Sequence, residues 1–188
     1  MKHLNQFITE YIVKKKLDKP IDSEDHYKYF PKTKEELIDN INELVEKNIY
    51  DFNCIDTGAI INMSKLFKNL NGIKDKNFDV SRWDVSSVED MSYMFMYCKN
   101  FNGNLSKWDI SNVTNMKGMF GGCESFEGNG IDNWDVSNVN NMDFMFYYCE
   151  SFKNNNLKNW NTNELKHTFN MFYNCKSLKN KPRLIRKK

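Results

Sequence analysis

Apolar and polar positions repeat with a fixed spacing through the middle of the chain. The segment WDISNVTNMKGMFGGCESF begins at Trp108, between WDVSSVEDMSYMFMYCKNF at Trp83 and WDVSNVNNMDFMFYYCESF at Trp134. A degenerate copy, WNTNELKHTFNMFYNCKSL, begins at Trp160. The tryptophans, the Met-Phe pairs and the cysteines of these copies lie about 25 to 26 residues apart, a period typical of leucine-rich-repeat solenoids. The spacing therefore predicts stacked repeats.

Each full copy carries two periodicities. Met91, Met94, Phe95 and Cys98 follow the i, i+3, i+4, i+7 spacing of a short helix, and the next two copies repeat it. Between these segments, apolar residues separated by Asn and Gly predict a short extended segment entered through a turn. The expected fold class is therefore α/β: a leucine-rich-repeat-like solenoid of short strands and short helices, with strands paired in a parallel ribbon.

Residues 1–55 are expected to form a helical N-terminal cap region. One helical face is predicted over residues 4–16, and a capping-box pattern beginning at Thr33 predicts a second helix from about Lys34 to Lys47. Ile49–Ile55 alternates loosely and is interpreted as a first short strand. These helices would shield the open end of the first repeat from water.

The repeat solenoid is expected over residues 56–178, as about five coils of which the first and last are degenerate. Residues 179–188 form a basic tail with no acidic residue. We expect this tail to be solvated, with contact to nucleic acid or to membrane phosphates as a weaker alternative.

Composition changes this picture little. The formal net charge is only +2, so nothing global indicates a nucleic-acid or acidic partner. Mean hydropathy is low at -0.73 although 14% of the residues are aromatic, a combination that fits an elongated body with a thin core of large rings. The sequence contains no apolar run of signal-peptide or membrane-spanning length, so a cytoplasmic protein without a membrane span is expected.

The repeat motif resembles a known family. The stretches WDVSSVEDMSYMF, WDISNVTNMKGMF and WDVSNVNNMDFMF, with the linker FNGNLS at residues 101–106, resemble the BspA-like leucine-rich repeat of bacterial surface proteins and lipoproteins. The likeness covers roughly residues 56–178. It implies a solenoid used for protein or matrix binding, without catalytic residues to carry over, and makes the cell surface the alternative location.

The cysteine row is the first candidate site. One cysteine per repeat lies on the apolar face, where Cys behaves as a small hydrophobe, and no C-x2-C pair of the kind that binds structural zinc is present. Core packing is therefore favoured over redox chemistry and over metal binding. The row consists of Cys98, Cys123, Cys149 and Cys175.

Aspartate and serine form two further rows. The first consists of Asp84, Asp109 and Asp135, and the second of Ser86, Ser111 and Ser137. Stacked carboxylates can bind calcium, but the Gly- and Asp-rich ligand spacing of such repeats is absent, so turns that engage backbone amides are favoured. His3, His26 and His167 are scattered, without a nucleophile at a productive spacing. We therefore predict no catalytic residue, no metal and no cofactor.

A set of aromatic and methionine positions off the inward face is the candidate partner-binding surface. The competing interpretation, that these side chains pack helix against helix between coils, stays open. The most consistent function is a non-catalytic protein-binding module whose protein partner is unidentified, with no small-molecule substrate; a structural or adhesion surface protein is the alternative. The candidate residues are Tyr93, Met96, Tyr97, Phe144, Tyr147 and Tyr148.

Overall fold

The computed structural model describes residues 27–68, 70–153, 156–180 and 182. Within these ranges the helices are α1, Lys34–Glu46, and a short 3-10 helix, Asn156–Asn159, and the backbone forms no strand. Parallel pairing is limited to isolated single-residue bridges. The predicted α/β solenoid of short strands and short helices is therefore wrong.

Helix α1 confirms the helix predicted from about Lys34 to Lys47. The Thr33 side chain accepts a hydrogen bond from the Glu36 backbone N–H at its N-terminus, as the capping pattern requires. Leu37, Ile41 and Leu44 are buried on one face of α1 and join the core. The helix predicted over residues 4–16 lies outside the described residues.

The repeats stack on one another in register. We number them coil 1 (56–73), coil 2 (83–101), coil 3 (108–126), coil 4 (134–152) and coil 5 (160–178). A single parallel bridge joins each coil to the next at equivalent positions. These bridges connect Asn62, Asp90, Asn115, Asn141 and His167.

Tight turns replace the short helix predicted in each repeat. In coil 2, Tyr93 and Tyr97 adopt φ of 58° and 67°, the left-handed region, which no α-helix contains. The Met94 N–H bonds to the Met91 carbonyl three residues back (3.2 Å), while the Met91 N–H donates to Asn115 of coil 3 (3.0 Å). Such turns return side chains to the interior every three or four residues, so they reproduce the apolar spacing of a helix.

The predicted strand at Ile49–Ile55 is also wrong. Only Asp51 and Ile55 form bridges, each to a single residue of another segment. Between them the Asp51 side chain accepts the backbone N–H of Asn53 at 3.0 Å, which turns the chain out of the extended conformation.

Stacked phenylalanine rings fill the interior. One row places a ring from each coil against the next at centroid distances of 5.2, 5.4, 5.7 and 5.5 Å, with planes inclined by 12° or less. A second row lies 4.2 Å from the first within coils 2, 3 and 4. Because the rings of one coil are covered by those of its neighbours, no coil buries its core alone. The first row is Phe67, Phe95, Phe120, Phe146 and Phe172.

Candidate functional site

The polar rows are turns, as predicted. Asp109 Oδ1 accepts the Ser111 backbone N–H at 3.0 Å, and Asp135 Oδ1 accepts that of Ser137 at the same distance. Hydrogen bonds from the side chain and the backbone N–H of Ser111 lower the pKa of Asp109. Asn138 Nδ2 reaches the Ser111 carbonyl of the preceding coil at 2.7 Å and ties the turns together. In the described ranges no group of three or more His, Cys, Asp or Glu is arranged to bind a metal ion.

The cysteine row lies in the core, as predicted, but it also makes a contact that the sequence does not reveal. Cys98, Cys123 and Cys149 are fully buried, and Cys175 nearly so. Each of the last three donates its S–H to the carbonyl of a core phenylalanine in the preceding coil, at 2.8 to 3.0 Å. Burial raises the pKa of Cys98 to about 12 and the pKa of Cys123 and Cys149 well above the usual value. The thiols are therefore protonated donors, unsuited to nucleophilic chemistry.

An open depression of about 460 Å³ lies where the segment 50–51 meets the loops before coils 2 and 3. Its acceptor side chains are already engaged in turns: Asp79 accepts the Ser81 N–H at 2.8 Å and Asn104 accepts the Ser106 N–H at 3.0 Å. Because these polar groups serve the backbone, the depression offers no converging set that would orient a small ligand.

The six predicted partner-binding residues form two separate groups. Tyr93, Met96 and Tyr97 belong to coil 2, and Phe144, Tyr147 and Tyr148 belong to coil 4. Coil 3, whose residues at the same places are all glycines, lies between them. Because the predicted helices are turns, the competing idea of helix-on-helix packing does not apply.

The coil 2 group lies over the glycines of coil 3. A Cβ atom on Gly118 would lie 2.6 Å from the Tyr93 ring, and one on Gly122 would lie 2.7 Å from the Tyr97 ring. Lys68 of coil 1 holds its ammonium 4.9 Å from the centre of the Tyr93 ring. These rings therefore occupy space that the glycines provide, although Tyr97 remains 48% exposed.

The coil 4 group is larger than predicted, because coil 5 contributes two further aromatic residues. Tyr173 stacks on Tyr147 with centroids 5.3 Å apart, and Phe169 packs edge-on against Phe144 at 5.3 Å. Tyr147 also packs against Tyr148, with ring centroids 4.6 Å apart. We call these five residues the aromatic cluster.

Exposure of the aromatic cluster is high for such large side chains. Phe169 is 64% exposed, Tyr173 49% and Tyr148 39%. Charge repulsion from the ionised forms of Tyr147 and Tyr173 raises the pKa of the Tyr148 hydroxyl above its ordinary value. The cluster thus presents apolar ring surface with hydroxyl groups at its edge.

Sequence reasoning missed Phe169 and Tyr173 for different reasons. Tyr173 occupies the same repeat position as Met96 and Tyr147, and extending that row into the degenerate last copy would have found it. Phe169 has no aromatic counterpart in the other coils, where Asp143 of coil 4 stands at the equivalent position, so only the structure brings it to the cluster.

Most of the basic tail, including every residue after Pro182, lies outside the described residues. Over the part of the chain that the structure does describe, no helix is both long and apolar enough to cross a bilayer.

Comparison with known families finds one described as "Mycoplasma protein of unknown function, DUF285", which matches residues 35–129 and 61–184. These matched segments overlap and together run from α1 to beyond coil 5. No curated protein and no solved structure matches the chain.

Proposed function

The chain belongs to the DUF285 family, and on that premise we propose that it is a non-catalytic protein-binding module. The aromatic cluster carries this proposal. Large exposed rings with polar edges are the side chains that contribute most at protein interfaces. The repeat motif also resembles BspA-like repeats, and this resemblance implies binding to a protein or to a matrix, which supports the same proposal.

Packing within the aromatic cluster favours binding. Tyr147 is held between Tyr148 and Tyr173, and Phe144 is held against Phe169. Rings that already support one another lose little side-chain entropy when a partner covers them. Below them the backbone of coil 4 is hydrogen-bonded to coil 5 at 2.8 to 2.9 Å, which gives the cluster a rigid base.

Site-specific photo-crosslinking tests the proposal. A benzophenone amino acid at Tyr148 is expected to capture a partner, and the same probe at Ile61 serves as the control. Ile61 is also an exposed apolar side chain, at 63%, but it lies in coil 1, far along the stack. Adducts at Tyr148 no stronger than those at Ile61 would contradict the proposal.

Once the partner is purified, its affinity for alanine variants measures how much each ring contributes to binding. Removal of a central interface ring typically costs about 2 kcal/mol or more, so Tyr173→Ala is expected to weaken binding by about 30-fold. Tyr97→Ala, in the separate coil 2 group, is expected to leave the affinity nearly unchanged. Equal losses for the two variants would show that the aromatic cluster is not the contact surface.

A further inference from the structure

A lysine of coil 1 lies over two aromatic rings of coil 2. The Lys68 ammonium is 4.9 Å from the centre of the Tyr93 ring and 6.0 Å from that of the Tyr97 ring, which we call the coil 2 ring pair. A cation within about 6 Å of a ring centre is attracted to the face of that ring. The chain thus contains an internal example of one coil placing a positive charge over two rings of the next coil.

The backbone that supports this contact recurs between coils 3 and 4. The N–H groups of Lys65 and Phe67 donate from coil 1 to coil 2 at 2.8 and 2.9 Å. Their counterparts Gly118 and Phe120 donate from coil 3 to coil 4 at the same two distances. A side chain attached to coil 3 where Lys68 is attached to coil 1 would therefore have the same access to the rings of the following coil.

Phe144 and Tyr148 of coil 4 hold the positions of the coil 2 ring pair, and all four residues adopt φ between 57° and 67°. In coil 3, however, Gly121 stands at the position of Lys68. This position of coil 3 therefore supplies neither a side chain nor a charge. In the ranges that the structure describes, no ammonium group lies over the Phe144 or Tyr148 ring.

The coil 4 rings are exposed and inclined to one another. Tyr148 is 39% exposed. The Phe144 and Tyr147 rings meet at 82° with centroids 5.6 Å apart, and the Tyr147 ring packs against that of Tyr148 at 4.6 Å. Neighbouring rings at different inclinations can contact a cation from more than one side, which is how aromatic cages bind ammonium groups.

We propose that a lysine side chain of the partner protein lies over Phe144 and Tyr148, as Lys68 lies over the coil 2 ring pair. This inference rests on the proposed function and names the chemistry that the aromatic cluster recognises. That chemistry is a primary ammonium at the end of a flexible apolar chain, because the internal example has this form. Desolvation against the rings strengthens the attraction, so the lysine belongs to the covered part of the interface.

NMR titration of the full chain tests the ring site without a purified partner. The probe is N-acetyl-lysine methylamide, and the control is N-acetyl-norleucine methylamide, which has the same carbon chain without the ammonium. The lysine derivative is expected to shift the Phe144 and Tyr148 resonances and to bind about 2- to 5-fold more tightly than the norleucine derivative. This preference should decrease in Phe144→Leu, which keeps an apolar side chain but lacks the ring.

Exchange of the two residues that distinguish the ring sites gives matched variants. In Gly121→Lys the new Cβ meets carbonyl oxygens at 3.4 Å, an ordinary contact, and the side chain supplies the charge from coil 3 itself. This variant is expected to lose the preference for the lysine derivative at the coil 4 rings. Lys68→Gly removes the internal cation, so the coil 2 ring pair should then respond to the lysine derivative. If Gly121→Lys does not fold, Lys68→Gly and the unsubstituted chain decide.

The captured partner provides the second measurement. Acetylation of its lysines removes their positive charge and their attraction to aromatic rings. It is expected to weaken binding to the unsubstituted chain by about 2- to 5-fold or more. The loss should be smaller for Gly121→Lys, in which the rings already hold an ammonium.

Four results would overturn the inference. They are equal binding of the two derivatives, a preference that persists in Gly121→Lys, acetylation that weakens both chains equally, and a response that appears only after removal of residues 183–188. The last would show that the chain's own basic segment occupies the rings. Each of these leaves the proposed function intact if crosslinking at Tyr148 captures a partner. Failure of that crosslinking would instead remove the proposed function, and the partner's lysine with it, even where the rings bind the lysine derivative.

Discussion

Alanine substitutions at two adjacent glycines in coil 3 distinguish the observed turns from the helix that the sequence predicted. Gly122 has φ of +74°, whereas its neighbour Gly121 does not adopt positive φ. In a helix, alanine at either position would stabilise the fold by about 0.8 to 1.0 kcal/mol. In the observed turn, an alanine at Gly122 is forced into the left-handed region at a cost of about 1 to 2 kcal/mol.

The surroundings add a second cost at Gly122. The new Cβ would lie 2.7 Å from the Tyr97 ring, which must swing away and lose its contact with Lys68, worth about 0.5 kcal/mol at an exposed site. The lower entropy of the unfolded chain offsets about 0.4 to 1 kcal/mol for either variant. At Gly121 the nearest atoms are carbonyl oxygens at 3.4 Å, so a small net change is expected there.

The entropy offset is common to both variants and cancels, so Gly122→Ala is expected to be less stable than Gly121→Ala by about 1.5 to 2.5 kcal/mol, a difference of roughly 3 to 10 °C in Tm. Urea unfolding followed by tryptophan fluorescence measures it, since Trp108 and Trp134 are buried on either side. In a Tyr97→Ala background, the stability difference between the two alanine variants should be smaller, because no Tyr97 ring has to be displaced. If Gly122→Ala equals or exceeds Gly121→Ala in stability, the turn geometry is refuted.

Three further predictions concern the core, the thiols and the helix. Phe120→Ala opens a gap in the middle of the ring row and is expected to cost about 3 to 5 kcal/mol in chemical denaturation, whereas the exposed Phe169→Ala should change stability by less than about 0.5 kcal/mol. Because burial raises the pKa of Cys123, the folded thiol stays protonated while the unfolded thiol ionises above about pH 8.5, so stability falls by about 1.4 kcal/mol per pH unit beyond that point. Cys123→Ala should remove this share of the slope. Thr33→Ala should lower the unfolding free energy by about 1 kcal/mol through loss of the N-cap of α1.

Each of these three predictions has an outcome that would contradict it. Equal losses for Phe120→Ala and Phe169→Ala would show that ring stacking is not what holds the coils together. For Cys123, the cavity cost of the substitution is the same at every pH, so only the slope is informative. An unchanged slope would mean that the thiol is not buried as the structure places it. No loss of stability in Thr33→Ala would mean that the cap bond contributes nothing in solution.

The sequence predicted the stacking well and the backbone of each coil poorly. Rows of Trp, Met, Phe and Cys at a constant period are enough to place equivalent residues above one another, and the Phe95 and Phe120 rings do stack with planes 2° apart. The same apolar spacing, however, is met by a helix and by a pair of turns. Tyr93 and Tyr97 do not themselves indicate positive φ, because glycine and asparagine are the residues usually found there, and these stand at the equivalent positions only in coils 3 and 5.

Neither could the composition of the candidate surface be read from one coil. Phe169 reaches Phe144 only because coil 5 stacks on coil 4, and the separation of Tyr97 from Tyr148 results from the glycine-bearing coil between them. Local patterns thus determined which residues are interior, the repeat period and helix α1, since burial and capping depend on near neighbours in the chain. The turns and the direction of the hydrogen bonds between coils were decided by the tertiary structure, because a backbone N–H takes its partner from the adjacent coil, about 25 residues away.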